Sequence, residues 1–318
     1  MDRILVTGGA GFIGSNFVRM LLACTDCEII NYDLLTYAGN TDNLKGVEKD
    51  PRYRFVKGDI CNKKSVEKAI DGVDTVFNFA AESHVDNSIK DSGEFVRTNV
   101  LGTKTMAECS MNEGVNRMVH ISTDEVYGSV EKGSSKETDR LEPRNPYSAT
   151  KAGSDLMALS YFTTFGFDIV VTRSSNNYGP YQHPEKVIPL FVTNLLQGKK
   201  VPLYGDGKNV RDWLYVEDNC EAVLLAGRKG KKGEIYNIGG GNEVANIELT
   251  NMLLELTGKA QEMIEPVADR LGHDRRYSLD SSKMESLGWK PRKKFADGLA
   301  QTVEWYKENE WWWRPLKK

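Results

Sequence analysis

Ser122, Thr123, Asp124 and Glu125 form one short polar stretch directly after the apolar run Met118-Val119-His120-Ile121, and Tyr147 and Lys151 follow a little further on. The apolar run reads as a buried strand. The polar stretch therefore sets a hydroxyl and two adjacent carboxyl groups at a strand's carboxyl end, where open α/β sheets bind their ligands. Tyr147 and Lys151 are four apart in a helix-compatible segment, so both lie on one helix face. A positive charge beside a phenol favours phenolate, so Lys151 is expected to lower the pKa of Tyr147. Simple dehydrogenation needs such a base and nothing more. The carboxyl pair adds one group that can give a proton and one that can take it. Alone, a Tyr-x-x-x-Lys pair is common on solvated helix faces, and an Asp-Glu step after a strand often caps a turn. The two gain meaning through a nucleotide fingerprint upstream.

That fingerprint is Thr7-Gly8-Gly9-Ala10-Gly11-Phe12-Ile13-Gly14, which follows the first strand and opens a helix. Its last six residues fit G-x-G-x-x-G, and Gly8, Gly11 and Gly14 also fit G-x-x-G-x-x-G. Missing side chains let backbone approach a pyrophosphate, and the helix N-terminus offers free N–H groups. Asp33 lies nineteen residues past Gly14, at the end of a second strand. A carboxylate there accepts hydrogen bonds from free ribose hydroxyls and repels a 2′-phosphate, so the expected cofactor is NAD rather than NADP. Asp59 is placed to meet an adenine edge or to cap a turn.

The elements that must position these groups alternate. Strand-like runs at Arg3 to Thr7, Glu28 to Tyr32, Tyr53 to Val56, Thr75 to Phe79, Met118 to Ile121 and Asp168 to Thr172 are separated by amphipathic stretches such as Ser65 to Ile70 and Asn99 to Met111. This predicts an α/β fold with a Rossmann-like, doubly wound parallel sheet. Residues 1–175 are read as the cofactor domain, with a strand near 235–238 returning to it. Residues 176–318, turn-rich at first and helical at Val187 to Leu196 and Glu248 to Leu256, are read as a smaller interleaved α/β substrate domain. The tail Trp311-Trp312-Trp313 reads as an aromatic anchor for the C-terminus.

Bulk composition narrows the classes. Among 318 residues, 42 basic and 45 acidic side chains leave a net charge of −3, which advertises no nucleic-acid partner. No apolar stretch approaches a membrane span. The first residues run straight into a strand with no signal-peptide pattern, so a cytoplasmic protein is expected. Cys24 and Cys27 have a C-x-x-C spacing but no second pair, so the five cysteines read as free thiols and no metal site is expected.

Further motifs are Ala80-Ala81-Glu82-Ser83-His84-Val85-Asp86, Thr123-Asp124-Glu125, Arg173-Ser174-Ser175-Asn176-Asn177-Tyr178-Gly179-Pro180-Tyr181-Gln182, Arg211-Asp212-Trp213 and Asp269-Arg270-Leu271-Gly272-His273-Asp274. With the glycine run and Tyr147/Lys151, they make the chain resemble the extended short-chain dehydrogenase/reductase family from end to end, and within it the dTDP-glucose 4,6-dehydratases. Two positions depart from the family pattern: Asn87 stands where arginine is usual, and Leu271 where proline is usual. The resemblance implies Thr123, Asp124, Glu125, Tyr147 and Lys151 as the catalytic set. It implies NAD at Gly8, Gly11, Phe12, Ile13, Gly14, Asp33, Thr36, Asp59, Ile60, Phe79, Ala80, Ala81, Thr98 and Asn177, together with Tyr147 and Lys151. It implies dTDP-glucose at Ser83, His84, Thr123, Asn176, Lys186, Val187, Pro202, Leu203, Tyr204, Arg211, Asn246, Arg270 and His273. It also implies a homodimer, paired through the helices around Asn99 to Met111 and Tyr147 to Tyr161. Another nucleotide-sugar 4,6-dehydratase, a nucleotide-sugar 4-epimerase or a decarboxylase on the same scaffold, and a non-catalytic NAD-binding protein, are the alternatives. The carboxyl pair speaks against both the epimerase and the scaffold.

Overall fold

Ile4, Leu5 and Val6 are all fully buried, which is the signature of a strand covered on both faces. They belong to β1 (Arg3–Thr7), the centre of a seven-stranded sheet in the computed structural model, which describes residues 1–269 and 272–317. Its other strands are β2 (Glu28–Asp33), β3 (Tyr53–Lys57), β4 (Thr75–Asn78), β5 (Arg117–Thr123), β6 (Ile169–Ser174) and β10 (Ile235–Ile238). The order is β10-β6-β5-β4-β1-β2-β3 and every pair is parallel. Side chains alternate across the sheet. Ile4, Val6, Ile29, Phe77 and Val119 enter one apolar cluster, while Leu5, Ile30, Val76 and Met118 enter the other.

The chain leaves β1 towards β2 on one side and later fills β4 on the other. That reversal opens a crevice at the carboxyl ends of β1 and β4. Gly8, directly after β1, has φ +67°, and a Cβ there would stand 2.7 Å from the Ala80 nitrogen after β4. A Cβ on Gly14 would stand 2.2 Å from the Gly8 carbonyl oxygen. Both glycines are required by backbone contact.

The remaining strands are β7 (Asn176–Tyr178), β8 (Val201–Tyr204), β9 (Val210–Tyr215), β11 (Glu243–Ala245) and β12 (Ile264–Val267). They form a three-stranded sheet, β11-β9-β7, and a two-stranded one, β12-β8. A third apolar cluster gathers here, with Tyr178, Phe191, Trp213, Leu253, Trp312 and Trp313. The helix Val216–Lys229 and β10 pack instead with the large sheet, since Val223, Ala226, Tyr236 and Ile238 join its first cluster. Among the described residues no helix is long and apolar enough to cross a membrane, and the five cysteines are free thiols.

Strand boundaries differ from the sequence reading by one or two residues, for example Arg117–Thr123 against Met118 to Ile121. The expected helix at Asn99 starts earlier and differently, as a π-helix over Val96–Gly102 that passes into the α-helix Thr103–Asn112. Such wide turns are frequent at functional sites. Here Thr98 faces the crevice, and Asn99 is buried with its amide bonded to Glu82 and Thr150.

Candidate active site

The glycine loop delivers the chain to the helix Phe12–Cys24, whose N-cap is Gly11 in extended conformation. No side chain caps it, so its first-turn N–H groups remain available to an anion. Asp33 ends β2 and is 8% exposed. One carboxylate oxygen accepts from the Ala10 N–H at 2.9 Å and the other from Leu35 at 2.7 Å. Burial raises its pKa, and those two donors work in the opposite direction. Each oxygen keeps a lone pair for a further donor.

A first pocket fills the crevice. Gly8, Gly11, Phe12, Ile13, Gly14, Asp33, Thr36, Asp59, Ile60, Phe79, Ala80, Ala81, Thr98, Tyr147 and Lys151 line it, as does Ser83. Glycine backbone, an uncapped helix end and a buried carboxylate at the far wall fit a dinucleotide with free ribose hydroxyls. Asp59 also caps its own turn, accepting from the Cys61 N–H at 2.8 Å, and pairs with Arg97. Asn177 was expected among these groups and is not. Pairing of β7 with β9 carries it into the second pocket.

The helix Pro146–Phe165 sets Tyr147 and Lys151. Pro146 occupies its first turn, Asn145 and Ser148 form a reciprocal capping box, and Gly166 closes it at φ +71°. Tyr147, Lys151 and Asp155 recur every fourth residue, and all three are buried. Lys151 Nζ donates to the Ile121 carbonyl at 2.7 Å. Burial lowers the Lys151 pKa to about 8, opposed by the Asp155 carboxylate. The expected lowering of Tyr147 by Lys151 does not prevail. Burial, then the Glu125 and Asp124 carboxyl groups, push the phenol well above its ordinary value, while the hydrogen bond with Thr123 pulls it down. A positive charge bound in the first pocket would act on the phenol in that same downward sense.

β5 ends at Thr123 and a short 3₁₀ turn, Asp124–Tyr127, follows. Thr123 caps that turn, its hydroxyl accepting from the Glu125 N–H at 3.3 Å and donating to Asp124 Oδ1 at 3.1 Å. Asp124 is 3% exposed, and its Oδ2 has no hydrogen-bond partner. Burial, then the neighbouring carboxyl groups of Glu125 and Asp212, raise its pKa well above the carboxylate range. Burial and its two acidic neighbours thus favour the protonated form of this carboxyl group. Glu125 lines the second pocket, with the Asn145 amide 3.5 Å from its Oε2. Two adjacent residues therefore occupy different environments, one sealed and the other facing a pocket.

That second pocket is lined by His84, Asn176, Lys186, Val187, Pro202, Leu203, Tyr204, Arg211, Asn246 and His273, all expected at a substrate. Arg211 is largely buried, donating to the carbonyls of Val210 at 2.8 Å and Asp274 at 3.0 Å, with Tyr277 stacked 4.3 Å away. His273 Nδ1 and Asp269 Oδ1 are 2.6 Å apart. His84 both lines the pocket and caps the helix Val85–Lys90, accepting from the Asn87 N–H at 3.3 Å. Asn87 enters the structure through that backbone bond. Arg270 and Leu271 lie outside the described residues. Thr123 and Asp124 line neither pocket.

Sequence reasoning missed the seam between the pockets. Gln182, Glu185 and Lys186 line both, and only Lys186 was named. Lys186 donates to the Ser83 carbonyl at 2.8 Å, and Glu185 accepts from Tyr37 at 3.1 Å, tying the seam to the cofactor side. The signal available was the turn Gly179-Pro180-Tyr181, where Tyr181 takes φ +67° and turns the chain towards Gln182. Glu82 and His183 in the first pocket, and Tyr277 in the second, were also missed.

Known proteins similar to this chain in sequence and fold share one family. The family model described as GDP-mannose 4,6 dehydratase matches residues 5–302. A dTDP-glucose 4,6-dehydratase of Streptomyces antibioticus is 53% identical, covering 99% of this chain and 96% of that protein. The crystal structure of DesIV, a dTDP-glucose 4,6-dehydratase from Streptomyces venezuelae solved with NAD, superposes with a TM-score of 0.98 at 56% identity, covering 99% of this chain and 100% of the other. The Bacillus anthracis str. Ames dTDP-glucose 4,6-dehydratase in complex with NAD gives 0.93 at 49%, covering 100% of each. With a family model across nearly its whole length and relatives about half identical from end to end, the chain belongs to the GDP-mannose 4,6 dehydratase family of extended short-chain dehydrogenase/reductases, on the dTDP-glucose 4,6-dehydratase side of that family.

Proposed function

We propose that the protein is an NAD-dependent dTDP-glucose 4,6-dehydratase, a hydro-lyase that forms dTDP-4-keto-6-deoxyglucose and water. The observation that carries this reading is the buried Asp124, its Oδ2 without a hydrogen-bond partner, beside the pocket-facing Glu125 and near a cleft lined by Tyr147. Residues 1–175 with β10 form the cofactor domain in this reading, and 176–318 the interleaved sugar-nucleotide domain. The uncapped helix after Gly11 receives the pyrophosphate and Asp33 the adenosine ribose. The second pocket receives dTDP-glucose, with Arg211 and His273 facing its diphosphate region and Glu125 at the sugar.

NAD, when bound, supplies a hydride acceptor at C4 and a hydride donor at C6. Tyr147 takes the proton of the sugar O4, with Thr123 bonded to the same oxygen, and Lys151 holds the phenol's surroundings from the Ile121 carbonyl. The resulting 4-ketone acidifies the C5 hydrogen. Glu125 removes that proton. Asp124 protonates the C6 hydroxyl, which leaves as water. The alkene then takes hydride at C6 and, from protonated Glu125, a proton at C5. Tyr147 is left holding the O4 proton and Asp124 lacks its own, so one proton passing from Tyr147 to Asp124 restores the site.

Exposed Val96, Leu101, Leu156 and Phe165 on the π-helical segment and on the helices that follow it support a homodimer, with those helices as the interface. Free cysteines suit a reducing cytoplasm. Incubation with dTDP-glucose tests the reading: a 4-keto product revealed under alkali is expected, and a 4-epimer or unchanged substrate contradicts it.

A further inference from the structure

The three tail tryptophans have different surroundings. Trp311 is exposed, with Lys45 over its ring at 4.3 Å. Trp313 is fully buried and donates to the Tyr306 carbonyl, 2.7 Å away within its own region. Trp312 is also buried, but its indole N–H reaches across the molecule to Asn43 Oδ1 at 2.8 Å, a residue 269 positions earlier.

Asn43 is 1% exposed and has every group engaged. Its Nδ2 donates to the Ala10 carbonyl at 2.8 Å, its own carbonyl accepts from Arg19 Nε at 2.8 Å, and its N–H donates to the Asn40 carbonyl at 3.1 Å. Ala10 in turn donates its N–H to Asp33 Oδ2 at 2.9 Å. An unbroken run of three hydrogen bonds leads from the tail indole, through the backbone of the glycine loop, to the Asp33 carboxylate. Ala10 stands between Gly9 and Gly11, where the backbone has the greatest freedom to move. On its other side the Trp312 ring packs with Tyr181, Trp305 and Tyr306, so the tail is fastened in the third apolar cluster.

We propose that Trp312 is a positioning residue for the cofactor loop, acting through the Asn43 amide on Ala10 and Asp33. The proposal rests on the reading of the first pocket as the NAD site. Without the indole N–H, the Asn43 oxygen is buried and unpaired, the amide can turn, and the Ala10 carbonyl loses one of its donors. Loop and carboxylate then meet the cofactor from a wider set of positions.

The test uses the full chain. Trp312→Phe keeps a buried ring and removes the N–H, while Asn43→Ala removes both side-chain bonds. Each, and the parent, is freed of bound NAD and then titrated with NAD and, separately, with dTDP by calorimetry. The NAD dissociation constant is expected to rise about tenfold in each variant, and the double variant to add little, as for two members of one network. Affinity for dTDP is expected to hold. Parental NAD affinity in both variants, or equal losses for NAD and dTDP, would overturn the proposal. Failure of the parent to bind NAD would instead overturn the reading of the pocket. A measurement on the parent alone covers variants that do not fold. Coupling is reciprocal, so NAD should increase hydrogen-exchange protection of the peptide containing Trp312 as well as of the glycine loop. Protection confined to the loop contradicts the coupling.

Discussion

Lys151 donates its ammonium proton to the carbonyl of Ile121 at 2.7 Å, joining the helix that carries Tyr147 to the strand that ends in Thr123. Lys151 and Ile121 both line the cofactor crevice. The lysine therefore fixes the base helix against β5 as well as supplying charge. Being fully buried, it carries a pKa lowered to about 8. A lysine that binds its proton more weakly in the folded state makes stability rise with pH between about 8 and its unfolded value of about 10.4.

Lys151→Met should test that directly. The variant lacks the buried charge, so the melting temperature of the parent relative to it should rise from pH 7.5 to pH 10. A difference that stays flat or falls would contradict a buried, weakly protonated Lys151. Turnover should fall by about 10²-fold or more, as expected for a group that supports acid–base catalysis.

Asp124 makes an opposite prediction for a carboxyl group. Its folded pKa is raised, so the folded state keeps a proton that the unfolded state loses above about pH 3.9, and stability falls as pH rises from there. Asp124→Asn escapes this cost. Relative to the parent it should melt higher at pH 7 than at pH 4, and a reversed order would refute a neutral Asp124. Its formation of 4-keto-6-deoxy product should drop by about 10²–10⁴-fold. Absorbance of reduced cofactor should still appear on mixing with dTDP-glucose, whereas Tyr147→Phe should show almost none.

Asp33 accounts for cofactor choice. The supernatant of denatured protein should contain NAD, and reconstitution should favour NAD over NADP. Asp33→Ser should narrow that preference. A parent that prefers NADP would contradict the role of the carboxylate.

The large sheet, the glycine loop, Asp33 and the β5 terminus were legible because each has a local signal: buried runs, backbone-imposed glycines and a carboxylate at a fixed distance. Other features had none. The acceptor for Lys151 is a backbone carbonyl, which leaves no mark in a sequence. The seam at Gln182 depends on the Tyr306 hydroxyl, 124 positions away, which donates to its carbonyl. The place of Asn177 on the second pocket follows from the pairing of β7 with β9, which its own segment does not announce. Arg211 was named through the resemblance alone, and its hydrogen bonds to the carbonyls of Val210 and Asp274 leave no mark in the sequence.

That burial changes what Arg211→Ala should do. A freely exposed arginine would leave folding untouched. Here the carbonyls of Val210 and Asp274 each lose one of two donors, the Tyr277 N–H and the Asn209 amide remaining, so a stability loss of about 1 kcal/mol by urea titration should accompany weaker dTDP binding. Unchanged stability with weakened binding would mean that the carbonyl contacts matter little.

The central claim is that one active site oxidises C4, eliminates water across C5 and C6, and returns the same hydrogen to C6. The direct measurement is to give the enzyme dTDP-glucose deuterated at C4 in ordinary water, and unlabelled substrate in heavy water, and to locate the label by NMR. The account predicts deuterium at C6 of the 4-keto-6-deoxy product in the first case and at C5 in the second. Loss of the C4 label to solvent, or its return to C4 with an inverted hydroxyl, would contradict it.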